Sequence, residues 1–246
     1  MRDAQLADFQ AFPTQLVNPP EPVVVEHIRL GQPLPDAAGT CLSFAPDSRG
    51  ASGWLYLASQ EMVGPGGSGC HQAVEAWLRC EDPTSGQVYL GLCAATGMGG
   101  NGVPVGLVHQ PFGYWVGLGR SFPGNMDPVP GLLTRVPLVL RFADGMGGGL
   151  YGRQLEVLGD FAPGQWVRVR LELMLVAGGH LLRVLCGVPG APLAQVGEVE
   201  VLASEVGRYR SGVVQRPAMA LCGRARGRGP VAFIHDLRWE AVLAQG

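Results

Sequence analysis

Lysine is absent from this chain, and all 18 basic residues are arginine. Arginine keeps its charge in every setting and differs from lysine in geometry. A coding bias toward arginine accounts for the swap without invoking function. Charge of either sign is scarce, at 15% of residues, and the net charge is −2. No global basic field exists to draw in nucleic acid or anionic lipid, so neither partner is expected. Long apolar runs are also missing: Gly or Arg breaks each one before the roughly 18 residues a membrane helix needs. Met1-Arg2-Asp3-Ala4-Gln5 is followed by no apolar stretch of the signal-peptide kind, which predicts synthesis in a bacterial cytoplasm or its equivalent. The six cysteines lack CxxC spacing. Cys80, Cys93, Cys186 and Cys222 end apolar runs, where reduced thiols pack as small hydrophobes, so no disulfide framework is expected. The five histidines never fall at H-x-H or H-x-x-x-H spacing, so neither a metal nor a cofactor is expected.

Glycine and proline are abundant instead, at 38 and 20 residues, in a chain that is 47% hydrophobic. They punctuate short apolar runs, the pattern of many turns joining many strands. Residues 1–22 read as an extended arm, because Phe12-Pro13 and Asn18-Pro19-Pro20-Glu21-Pro22 exclude a continuous helix. Only Arg2 to Gln10 could hold a helical turn or two. The arm, a first strand from Val23 to Ile28 and a following loop make up residues 1–40; residues 41–246 form the main body.

Within the body, His71 to Cys80 sets Val74, Ala76, Leu78 and Cys80 against Glu75, Trp77 and Arg79. Trp166 to Val176 sets Val167, Val169, Leu171 and Leu173 against Trp166, Arg168, Arg170 and Glu172. Such period-two alternation marks strands with one core face. Further strands are predicted at 54–57, 87–93, 105–109, 112–117, 136–142, 180–186, 193–201, 218–222 and 231–242. Short helical turns remain open at 55–59 and 202–206. The fold class expected is all-β: a two-sheet antiparallel β-sandwich, or jelly roll, with an extended N-terminal arm.

The segments His71-Gln-Ala-Val-Glu-Ala-Trp-Leu-Arg-Cys80, Phe112-Gly-Tyr-Trp-Val-Gly-Leu-Gly119, Phe161-Ala-Pro-Gly-Gln-Trp-Val-Arg168, His180-Leu-Leu-Arg-Val-Leu-Cys186 and Val231-Ala-Phe-Ile-His-Asp-Leu-Arg-Trp239 carry a resemblance. In order and pattern they resemble the concanavalin-A-like lectin/glucanase (laminin-G-like) jelly-roll superfamily. The resemblance spans about two-thirds of the chain. It implies a fold more than an activity, since lectins, glycosidases, adhesion modules and virion proteins share it.

Catalytic chemistry finds little footing. Retaining glucanases need paired carboxylates flanking a sugar bond, and Glu198 with Glu200 is the sole same-face pair, read as a solvated strand face. His235-Asp236 reads as a polar pair at an edge or turn. Asn125, Asp127 and Asp144 are too sparse for a calcium loop. Gly97 to Gly102 and Gly147 to Gly152 match G-x-G-x-x-G by letter but precede no helix. Cys70 and His71 point to opposite sides of a strand, which breaks any dyad. A non-enzyme is expected. The expected role is structural assembly, most specifically a bacteriophage virion component (head decoration or tail-associated) made in the host cytoplasm, with cytoplasmic or cell-surface placement as the alternative. Protein neighbours, including further copies of the chain, would touch the arm at Phe12, Pro19 and Pro20. They would also touch the arginine runs Arg208-Tyr-Arg210 and Arg224-Ala-Arg226-Gly-Arg228. A carbohydrate-binding module or adhesin is the alternative, with Trp115, Tyr114, Trp54 and Tyr56 offering faces to a surface glycan. A glycosidase is a minor third reading.

Overall fold

The computed structural model describes residues 2–3, 9–11, 22–24, 41–44, 53–59, 71–83, 86–94, 113–119, 134–143, 152–202, 215–223 and 232–242. The strands among them are β1 (Arg2–Asp3), β2 (Phe9–Ala11), β3 (Pro22–Val24), β4 (Cys41–Phe44) and β5 (Gly53–Ser59). The chain continues with β6 (His71–Cys80), β7 (Gly86–Ala94), β8 (Gly113–Leu118), β9 (Val136–Ala143) and β10 (Gly152–Phe161). It ends with β11 (Val167–Val176), β12 (Gly179–Gly187), β13 (Ala194–Leu202), β14 (Gln215–Gly223) and β15 (Ala232–Val242).

They form two antiparallel sheets. An eight-stranded sheet runs β13-β12-β11-β6-β15-β4-β3, with β1 added on β15, and a seven-stranded sheet runs β10-β9-β8-β7-β14-β5-β2. The all-β sandwich read from the sequence is therefore the fold. The described pieces of the N-terminal region pair within the chain: β1 with β15, β2 with β5, β3 with β4. Residues 2–3 and 9–11 are strand, while 4–8, where the sequence allows a helical turn, lie outside the described residues; β5 replaces the turns allowed at 55–59. The strand expected at 105–109 lies outside the described residues.

Alternation builds the core. Val74, Ala76, Leu78 and Cys80 of β6 and Val167, Val169, Leu171 and Leu173 of β11 meet Val88, Leu90, Leu92, Tyr114, Val116, Leu118, Leu138 and Leu140 from the other sheet. Each such side chain, once sealed from water, contributes about 1.5–3 kcal/mol. The outer positions of the central strands are also buried: Tyr89, Trp115 and Val139 on one sheet, Ala73, Glu75, Trp77 and Arg79 on the other.

Two glycines make room for the large rings on the outer side of the seven-stranded sheet. Trp115 pairs with Gly91, and Gly117 pairs with Tyr89. A Cβ at Gly91 would sit 2.6 Å from Trp115 Cε3, and one at Gly117 would sit 2.6 Å from Tyr89 Cδ1. The rings occupy the space that side chains at those two positions would fill.

Candidate functional site

Strand register sorts the connections between two ends of the sandwich. Gln215 of β14 pairs with Ala94 of β7, Cys93 pairs with Gly113 of β8, and both Gly113 and Gly152 pair with Ala143 of β9. Ala218 pairs with Ala58 of β5. The connections 60–70, 95–112, 144–151 and 203–214 therefore all leave from one end, here termed the loop end. At the opposite, turn end, Gly223 pairs with Gly86 and Gly53, and Phe161 pairs with Val136. Connections 45–52 and 224–231 leave from there.

Near the loop end a polar contact crosses the core. The Tyr114 hydroxyl lies 2.7 Å from Nδ1 of His180, joining β8 of one sheet to β12 of the other. Phe142 packs on Tyr114 with ring centroids 5.3 Å apart, and the His180 ring meets Tyr114 edge-on at 5.6 Å. His180 is 1% exposed. Burial pushes its pKa down from 6.5 to about 4, because the charged ring would lose its hydration. The ring is therefore neutral at physiological pH.

The outer face of the eight-stranded sheet carries a charge ladder. Glu198 of β13 accepts hydrogen bonds from Arg183 Nε at 2.9 Å and Nη2 at 2.8 Å on β12. Arg183 Nη1 lies 3.9 Å from Glu172 Oε2 on β11, and Glu172 Oε1 accepts from Arg170 Nε at 2.7 Å. Arg170 also pairs with Glu240 of β15 and, at 3.4 Å, with Glu75 of β6. Arg168 pairs with Glu75 as well, and its guanidinium carbon lies 5.8 Å from the Trp77 ring centroid. For Glu240, burial works to raise the pKa, but the hydrogen bond and charge of Arg170 prevail and lower it. For Arg170, burial works against the charge, and the Glu240 and Glu172 carboxylates more than offset it. The pairs thus hold one another ionised on a half-buried face.

The expected contact residues fall as follows. Trp115 has no accessible surface, so its ring offers no face to a sugar and packs over Gly91 instead. Tyr114 is equally buried, in the core. Trp54 and Tyr56 lie on β5, whose side chains are outside the described residues. Phe12, Pro19, Pro20, Arg208, Arg210, Arg224, Arg226 and Arg228 lie outside them too. The chain positions of the two arginine runs are separated by β14, Gln215–Gly223. At about 3.3 Å per residue, the strand ends from which they continue are some 27 Å apart.

His235-Asp236 is not at an edge. It sits in β15, between β6 and β4, where a register shift accompanies a positive φ of 54° at Asp236. Such a bulge re-aims side chains in mid-strand, and Asp236 accepts from Arg238 Nε at 3.0 Å. Glu198 and Glu200 are exposed on β13, as a solvated face requires. Cys41 and Cys80 are buried free thiols and Cys186 is a half-buried one; burial pushes Cys41 up to about 12. Asn125, Asp127 and Asp144 lie outside the described residues. Among the described residues no group of three or more His, Cys, Asp or Glu is placed to hold a metal. Sequence reading missed the Tyr114–His180 bridge and the burial of Glu75 and Arg79. The adjacent Trp77 was the one signal that the outer face of β6 is not simply wet.

No protein-family model matches the chain, and no curated protein sequence does. Solved structures do. Lectin UEA-II complexed with galactose superposes with a TM-score of 0.55 at 9% identity, covering 96% of this chain and 98% of that one. The exoplasmic/lumenal domain of VIP36 in its Ca2+-bound form gives 0.53 at 8%, covering 97% and 84%. The legume lectin-like domain from Entamoeba histolytica gives 0.50 at 8%, covering 97% and 92%. The fold is legume-lectin-like. In this lectin-like sandwich the Tyr114–His180 bridge lies toward the loop end, and the turn end carries tight returns such as 162–166.

Proposed function

We propose that this chain is a non-enzymatic carbohydrate-binding module that meets glycans at the loop end of its lectin-like sandwich. The observation that carries this reading is that the strands flanking connections 60–70, 95–112, 144–151 and 203–214 begin or end at one end of the two-sheet frame. Binding loops set on a rigid scaffold are a general arrangement for recognition. Their sequences hold Tyr151, Arg208, Tyr209 and Arg210, which supply the stacking rings and planar donors that sugar hydroxyls take up. One of the similar structures is a lectin complexed with galactose, which makes a hexose the first ligand to try. The bacteriophage virion role expected from the sequence draws no support from these similarities, and the carbohydrate alternative takes its place.

The test is a glycan array followed by saturation-transfer NMR on any hit. A galactose- or other hexose-containing hit is expected, weakened at least tenfold by a combined Arg208→Ala, Tyr209→Ala and Arg210→Ala change. An array with no hit, or a hit that those substitutions leave untouched together with a Tyr151→Ala change, overturns the reading.

A further inference from the structure

Arg79 stands near the turn end of β6, on the outer face of the eight-stranded sheet, and is 4% exposed. Its guanidinium carbon lies 5.7 Å from the ring centroid of Trp166 and 5.8 Å from that of Phe233. Nη2 pairs with Glu81, whose side chain is 35% exposed. Nε and Nη1 are buried and have no hydrogen-bond partner among the described residues, and neither has the buried Nε1 of Trp166.

Three donor nitrogens on two adjoining side chains thus lack an acceptor among the described residues. A buried donor left unmet costs about 1–3 kcal/mol, and more when the group is charged. Among the described residues the neighbourhood offers little to meet them: Trp77, Phe233 and Cys41 form the apolar cluster around Trp166. Its one thiol is held protonated by burial. His235 presents its ring to Trp166 edge-on, centroids 6.1 Å apart. Guanidinium groups match carboxylate and phosphate oxygens in shape and charge, and Glu81 occupies only one nitrogen of this one.

We propose that Arg79 and Trp166 form a binding site for a small oxyanion, with Glu81 as the resident carboxylate that competes for the guanidinium. The oxyanion takes the free donors of Arg79 and the indole N–H, while Trp166 and Phe233 exclude water and strengthen the charge pairing. The site lies at the turn end, away from the connections assigned to glycans, and stands or falls independently of that assignment.

Thermal unfolding of the full chain, with chloride replaced at constant ionic strength by phosphate, sulfate or acetate, tests this. A saturable rise in Tm is expected for the wild type. Glu81→Gln removes the competitor and should tighten the apparent Kd severalfold. Trp166→Phe keeps the ring but loses one donor and should weaken it about tenfold, the equivalent of one charge-assisted hydrogen bond. Arg79→Met should leave only the non-saturating salt effect common to all proteins. If Arg79→Met does not fold, the other two variants still decide. Response to phosphate and sulfate assigns the site to tetrahedral oxyanions, and response to acetate alone assigns it to carboxylates. An identical response to every anion in wild type, Glu81→Gln and Trp166→Phe means that water meets the donors and overturns the proposal.

Discussion

Acid should loosen the loop end before it disturbs the rest of the sandwich, and His180 is the reason. Its pKa is about 4 in the folded chain against 6.5 for a free imidazole, lowered by burial. The unfolded chain therefore binds a proton more readily than the folded one between those values, so stability falls as pH drops through that window. At full extent a shift of this size is worth about 3 kcal/mol. Linkage puts about 2 kcal/mol of the loss between pH 7.5 and pH 5. Urea unfolding of wild type and His180→Asn, each at both pH values, isolates the effect as a difference of differences. The variant is expected to be less stable near neutrality yet to lose about 2 kcal/mol less on acidification. Tyr114→Phe removes the hydroxyl bonded to the His180 ring and should cost about 0.5–1.5 kcal/mol near neutrality, the net worth of one hydrogen bond. If His180→Asn keeps the full pH dependence of the wild type, the histidine is not the titrating group and the reasoning fails.

The remaining predictions concern the two sheets. Gly91→Ala forces a Cβ against Trp115 Cε3 at 2.6 Å and the Tyr114 carbonyl oxygen at 2.8 Å; overpacking of this kind costs about 1–3 kcal/mol, a drop of several degrees in Tm by calorimetry. Trp115→Leu in the same chain should recover much of it. Glu75→Ala strands Arg168 and takes one partner from Arg170; with Glu75 only 3% exposed, about 3 kcal/mol should be lost on urea unfolding. Arg183→Ala breaks a pair whose side chains are 35% and 40% exposed, and should cost under about 1 kcal/mol. Equal losses from Glu75→Ala and Arg183→Ala would show that depth in the ladder does not set the energy.

What the sequence displayed was period-two alternation. Where one face is apolar and meets the core while the other carries charge, as on β11, the reading named both faces correctly. It missed β10, because Gly159 and two register shifts within Gly152–Phe161 interrupt the alternation. It missed β4, where Cys41–Phe44 is too short to show a period. Trp115 illustrates a deeper limit. An aromatic on the outer side of a strand looks like a binding platform until the partner strand is known, and the glycine that makes room for it, Gly91, is remote in sequence. His235-Asp236 fails in the same way: a bulge in a central strand and an exposed turn use the same polar letters. The Arg79 cluster joins β6, the turn before β11 and β15, and no local pattern links those three segments.

The free edges of the sandwich bear on whether copies of the chain join through their sheets. β10 and β13 end the two sheets on one side. The two register shifts of β10 spoil it as a template for a regular partner strand, a common way of blunting an edge. β13 is regular from Gly197 to Leu202 against β12, so its protection must come from side chains. Glu198 and Glu200 share its outer face. A second copy pairing antiparallel along β13 sets Glu198 against Glu198, Glu198 against Glu200, or Glu200 against Glu200 in each register that centres on them. Like charges directly opposed across strands cost about 0.2–1 kcal/mol each, and Arg183 already serves one of the two carboxylates within its own chain. The wild type should therefore not self-associate through β13, whereas Glu198→Thr combined with Glu200→Val should. Sedimentation velocity across a concentration series reads the difference. A wild-type dimer that Val199→Pro dissolves would show that this edge pairs despite its glutamates, and the charge argument would be wrong.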